Sequence, residues 1–186
     1  MRAFKKGQES RSSLAAPAAT QEAEADDCVK KSRCHLKPYK PGRKQKKCCP
    51  GQTPHHIPPK ACFSRAKVKK YNMKKALCVC MEGTSQHFGS HGKNHAAIDY
   101  LCAKNKPTAI QPGDSVSIDK YNEICATAVA AQCGCDPACI KAQLDESLKP
   151  VNRNIEHVDS TSSEPLGSNL TGKLNKALNA PAAGAT

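Results

Sequence analysis

Twelve cysteines stand in a 186-residue chain that has no Trp, three Phe and four Tyr. That combination constrains the fold more than any other feature. So few large aromatic side chains cannot build a big apolar core, and something besides bulk burial must help to hold the chain together. The candidates are Cys28, Cys34, Cys48, Cys49, Cys62, Cys78, Cys80, Cys102, Cys125, Cys133, Cys135 and Cys139. An even count fits disulfides in an exported protein, and short paired spacings fit structural zinc in a reducing compartment. Free buried thiols are the third arrangement. No C-x2-C pair recurs with a matching second pair, which weighs against zinc.

Charge narrows the function. The chain carries a formal net charge of +13, and between Cys28 and Met81 sixteen Lys or Arg stand against no Asp or Glu. A clustered basic face attracts phosphates through counterion release, independently of sequence and strongly dependent on salt. The competing reading is a solvated, solubilising face. Sixteen against none favours a track for a polyanion.

Residues 1–27 are rich in Ala, Ser, Gln and charge with almost no large apolar side chains, and are expected to form a disordered linker. A linker at this place reads as one joining a larger preceding part. No apolar run follows the early lysines as a secretory signal peptide needs, and no stretch of about 18 apolar residues suggests a membrane span. Residues 151–186 return to Ser, Asn, Gly and Ala and are expected to be a flexible tail, disordered or loosely docked. Between them, 28–150 reads as one domain of irregular β followed by helices, an α+β class. The run "ALCVCM" at 76–81 fits a buried strand, with the "HHI" segment as its hairpin partner. "SHGKNHAAIDYLCA" fits a helix with Ser90 as N-cap, placing His91, His95, Ile98 and Cys102 on one stripe. "SIDKYNEICATAVAAQCG" fits a second helix ending at Gly134, with Tyr121, Ile124, Cys125, Ala128 and Val129 on one face. Asp136-Pro137 opens a third, with Ile140, Leu144 and Leu148 spaced by four.

The histidines carry the strongest chemical signal. His91 and His95 project from one helical face a turn apart, so their ring nitrogens can converge on one metal ion at ~2 Å. His55 and His56 lie in a segment stiffened by Pro54 and Pro58, where neighbouring side chains point to opposite sides. One imidazole of the doublet can then ligate a metal while the other stays free as a base. His87 admits three readings: a further ligand, a phosphate contact or a polar loop residue. Lys60, Arg65, Lys67, Lys69 and Lys70 follow the doublet and are candidates to hold a nucleic-acid backbone beside it.

A histidine doublet leaving a strand, a hairpin and then a helix with H-x3-H resembles the ββα-metal, or His-Me finger, nucleases of the HNH and endonuclease VII superfamily. More narrowly, "CCPGQTPHHIPPKACF" followed by "ALCVCMEGTSQHFGSHGKNHAAIDYL" resembles the GHH2-type nuclease toxins at the C-termini of bacterial polymorphic toxins, a group fused to type VI secretion proteins. The resemblance covers about residues 28–104 and departs from the group's pattern at Pro54, where a Gly is expected. It implies a small ββα-metal core at about 50–104, braced by cysteines and by helices at about 115–150. It further implies that His55, His91 and His95 hold one divalent cation, Mg2+ or Mn2+ with Zn2+ as a third candidate, while His56 is the general base. Asn72 is the candidate for the Asn that orients the base in such enzymes; the competing reading is a turn residue. The function implied is DNA cleavage with little sequence preference by a secreted effector delivered into the cytoplasm of rival bacteria. Its implied partners are DNA, a spike, PAAR or Rhs carrier and a cognate immunity protein. Facing so basic a chain, that inhibitor should be acidic. The alternative from another class is a non-catalytic nucleic-acid binder held together by zinc or disulfides.

Overall fold

A computed structural model describes residues 33–40, 48–83, 87–151, 154–160, 162 and 164–180. The linker expected over 1–27 and the basic residues at 41–47 lie outside these. The described residues form a mixed α+β fold of two small antiparallel sheets and five helices. The first sheet has the order β1-β3-β2, from Lys37–Pro38, Gln52–His56 and Leu77–Glu82. Strand β3 is its centre, apolar almost throughout, and β2 runs antiparallel to it with His55 opposite Val79 and His56 opposite Cys78. Because side chains alternate along a strand, Thr53 and His55 share a face with Val79 and Met81. His56 shares the other with Cys78 and Cys80.

The apolar face of this sheet packs on α2, Gly89–Ala103, whose Ala97, Ile98, Leu101 and Cys102 are buried. Behind it lie α3, Ile118–Cys133, and α4, Pro137–Leu148. Both helices begin and end as their sequences dictate. Ser117 caps α3 by accepting from Lys120 N, Gly134 ends it in the left-handed region at φ 71°, and Asp136 caps α4 from ahead of Pro137. Tyr121, Ile124, Cys125, Ala128 and Val129 are buried, as are Ile140, Leu144 and Leu148. Each large apolar side chain so removed from water contributes roughly 1.5–3 kcal/mol.

Three features depart from the sequence reading. A short helix α1, Lys60–Arg65, follows the doublet and buries Cys62 and Phe63. Ser90 lies inside α2 rather than capping it; Phe88 holds the N-cap position, and the Ser90 hydroxyl bonds the backbone and carboxylate of Glu82. The segment expected as a tail is docked. It supplies β5, Ile155–Glu156, which pairs with β4, Ser115–Val116, and α5, Gly167–Leu178, whose Leu174 is fully buried.

This docked segment also grips α2. Helix α2 has no side-chain cap of its own and no acidic residue in its first turn. The Gly89 N–H donates instead to the Glu164 carboxylate at 3.3 Å, Ser162 Oγ donates to the Gly92 carbonyl at 3.0 Å, and Ser160 bonds Asp99. The approach needs a glycine at 92, where a Cβ would lie 2.8 Å from Glu164 Cγ and 2.7 Å from the His87 carbonyl carbon.

Cysteines brace the fold in a mixed way. Cys34–Cys135 joins the β1 arm to the turn before α4, Cys48–Cys80 joins the loop before β2 to the central strand, and Cys49 is also disulfide-bonded. Cys62, Cys78, Cys102 and Cys125 are buried free thiols that act as small apolar core residues. Disulfides and free thiols thus coexist. Among the described residues no cysteine belongs to a cluster fit for a metal ion.

Candidate metal centre

The site forms where β2 faces the first two turns of α2. His55 is 1% exposed on the inner face of β2, while His91 and His95 descend from α2 onto it. Their ring centroids lie 4.6 Å (His55–His91), 4.5 Å (His55–His95) and 5.4 Å (His91–His95) apart, with the His55 ring edge-on to the other two. One nitrogen from each lies within 4.8 Å of the others, so the three could hold a metal ion. Neither His55 nitrogen has a hydrogen-bond partner although both are buried. Leaving such atoms unpaired costs roughly 1–3 kcal/mol each, which a coordinated ion would offset. Donor chemistry agrees, since neutral imidazole suits divalent transition metals.

Electrostatics keeps the donors neutral. Burial, reinforced by His95, His91 and His56, holds His55 well below the ordinary histidine value, with only the nearby Asn94 amide opposing. Burial together with neighbouring histidines also pushes His91 and His95 down, each to about 4. Three imidazoles packed this closely cannot all carry protons, and the neutral form is the one that ligates.

Thr53 completes the arrangement. Its hydroxyl donates to the Gly83 carbonyl at 3.1 Å and lies 2.9 Å from His91 Nδ1, so that this ring nitrogen is engaged and Nε2 is left available as a donor. The sequence reading missed this residue. Its signal was present, because Thr53 lies two positions before His55 and so on the same face of an extended strand.

His56 points the other way, as alternation requires. Its ring lies 4.3 Å from that of Tyr39, and its Nε2 is buried without a partner. Burial lowers its pKa below the ordinary value and the Lys60 charge lowers it further, while a hydrogen bond with the Met73 backbone opposes both. Asn72 acts on the turn that leads into β3. Its side chain accepts from Lys74 N at 3.1 Å, and its carbonyl accepts from Lys75 and Ala76, so it builds the turn that presents Met73. His87 is half-buried just before α2, close enough to lower the pKa of both His91 and His95, and lies outside the three-nitrogen cluster.

Of the basic candidates, Lys60 begins α1 nearest the doublet. With Lys67, Lys69, Tyr71 and Met73 it lines a shallow groove of about 370 Å³ that adjoins His56 through Met73. Arg65 and Lys70 are exposed outside that lining. His35 is exposed. His157 is buried and lies 2.9 Å from Tyr121 Oη and 4.0 Å from Asp99, where it tethers the docked segment. No helix among the described residues is long and apolar enough to cross a membrane.

No protein-family profile matches the chain, and no solved structure matches it. Among curated proteins, it is similar to DNase toxin Tse7 of Pseudomonas aeruginosa, with 32% identity over 151 residues. The match takes in 70% of this chain but only 38% of the length of that toxin, so the likeness is to a part of it.

Proposed function

We propose that the chain is a metal-dependent endonuclease of the ββα-metal, HNH-like type that hydrolyses DNA with little sequence preference and acts as an antibacterial toxin. The observation that carries the reading is the division of the doublet. One imidazole joins two others around a common point, and its neighbour stays outside that cluster, near enough to act on His91, with a ring nitrogen unpaired. The relative's name, a DNase toxin, supports DNA as the substrate.

In this reading His55, His91 and His95 hold one divalent cation, Mg2+ or Mn2+ in action, with Zn2+ binding more tightly and inhibiting. When bound, the cation supplies Lewis-acid stabilisation of the charge that grows on the phosphate and on the leaving oxygen. The remaining work falls to the chain. Thr53 fixes the His91 ring, and the Met73 backbone holds His56 so that its free nitrogen takes the proton from the attacking water. Lys60, Lys67 and Lys69 receive the strand in their groove, with Arg65 and Lys70 extending the positive face. The partners that follow are a cognate acidic immunity protein covering this face and a type VI spike, PAAR or Rhs component carrying the toxin.

Incubating the purified protein with supercoiled plasmid, with Mg2+ or Mn2+ and then with EDTA, tests the reading. Nicking and linearisation should require added metal, and the chelated protein should keep its fold. Cleavage undiminished by chelation would refute the metal-dependent assignment.

The basic groove yields a separate expectation. Neutralising Lys67, Lys69 and Lys70, all exposed, should raise KM for DNA with little change in kcat, because these side chains contribute binding that is equal in ground and transition states. Every phosphate left without its lysine should flatten the log-log salt dependence of kcat/KM by roughly 0.9. Measuring this between about 50 and 200 mM salt checks it. An unchanged slope would mark the three lysines as a solvated face.

A further inference from the structure

The buried polar atoms around the three histidines do not all find partners within that cluster. Asn94 lies on α2 between His91 and His95 and is 0% exposed; no hydrogen bond of good geometry reaches its amide nitrogen or oxygen, although the amide already acts on the neighbouring His55 ring and raises its pKa. Beside it stands His55 with both ring nitrogens buried and unpaired. Four orphaned polar atoms in one dry spot would be a heavy cost for a fold with so modest a core, because each forfeits its hydration. A leucine would fill the position on α2 without that cost. Asparagine there makes physical sense only if the site, when complete, gives the amide a partner.

We infer that Asn94 is the positioning residue for His55: its side-chain oxygen accepts the N–H of one His55 ring nitrogen and thereby turns the lone pair of the other towards the centre shared with His91 and His95. The inference rests on the proposed metal centre and deepens it. An imidazole ligand is normally held by an acceptor on its second nitrogen, which fixes both tautomer and ring orientation. Thr53 meets His91 in this way at 2.9 Å. His55 has no such partner among the strand residues, and the amide beside it is the polar group placed to serve. Pairing amide with imidazole satisfies two of the four orphans, and an ion at the centre satisfies a third. The geometry also explains why sequence spacing conceals the role, since Asn94 acts across to β2 and not along its own helix.

Two substitutions separate positioning from mere packing. Asn94→Leu keeps the volume and removes the orphans, so the metal-free protein should melt at the same temperature or higher. Its affinity for Mn2+ or Zn2+, measured by calorimetry in a His56→Ala background, should nevertheless fall by roughly 10–100-fold. Asn94→Asp keeps the acceptor and strengthens it, so it should hold metal at least as tightly as the unsubstituted protein, although a buried carboxylate lowers the stability of the metal-free fold. A role in packing alone predicts the reverse order for the two variants. Unchanged metal affinity in Asn94→Leu, or equal losses in both, would overturn the inference. If the unsubstituted protein binds no metal ion, the metal reading fails by itself. The His55 ring then decides the inference through nitrogen NMR: a tautomer unchanged by Asn94→Leu would overturn it, and a shifted one would uphold it.

Discussion

Replacing His56 with Ala should stop plasmid cleavage while leaving metal affinity within a few-fold of the original. A positioned general base contributes roughly 10²–10⁴ in rate, or about 3–5 kcal/mol of barrier. The fall should lie in kcat and kcat/KM alike, with KM for DNA little changed, because the base acts on the transition state. His56 lies outside the three-histidine cluster with its ring 4.3 Å from that of Tyr39, so its loss leaves His55, His91 and His95 in place. The pH profile offers an independent check. The base works when neutral, so kcat/KM should be flat above its pKa and fall about tenfold per unit below it. Burial and Lys60 hold that pKa under the ordinary value of 6.5, which puts the acid limb below pH 6.5. Should His56→Ala lose the metal while His55→Ala keeps it, the two roles must be exchanged.

His55→Ala should fail in the opposite order, losing metal first and cleavage as a result. Removing one of three donors takes away a ligand rather than the partner of a ligand, so affinity should drop by more than the roughly 10–100-fold typical of groups that only hold a ligand in place. His91→Ala and His95→Ala should behave alike. His55 is 1% exposed, and truncation also opens a cavity, so a volume-conserving His55→Leu separates ligation from packing. That variant removes two unpaired buried nitrogens, so its metal-free form should be at least as stable as the original. Calorimetry with Mn2+ or Zn2+ and melting curves without metal measure both quantities. Metal affinity preserved in His55→Leu would take His55 out of the centre.

Local signals were strong enough to read the helices behind the site. Ser117, Gly134 and the Asp136-Pro137 pair mark their ends by capping chemistry that acts within a few residues, and Ile140, Leu144 and Leu148 show their buried face by period alone. The histidine pattern was legible for the same reason: spacing of four on a helix and alternation on a strand are fixed by backbone geometry. What escaped was whatever depended on distant partners. Helix α1 is only six residues long and is held by burying Cys62 and Phe63, a tertiary gain with no periodic trace. Ser90 looked like a cap because its hydroxyl suits that role, yet Glu82 on β3 claims it. Residues 155–178 read as a tail because they are small and polar; their docking rests on scattered Ile155, His157 and Leu174 and on serines whose partners lie on α2. Cysteine pairing was closed to sequence altogether, since Cys34 and Cys135 stand 101 residues apart.

The Glu164 cap on α2 also sets an order in time. Synthesis runs from the N-terminus, so His55, His91 and His95 are made well before the carboxylate that finishes the helix on which two of them sit. Glu164 follows Gly89 by 75 residues, a delay of roughly 4 to 15 s at ordinary rates of translation. During that interval the nascent chain carries every donor of the centre but lacks the anion that satisfies the first turn of its helix. A ribosome that stalls or releases early therefore leaves a fragment with the histidines and without the finished frame.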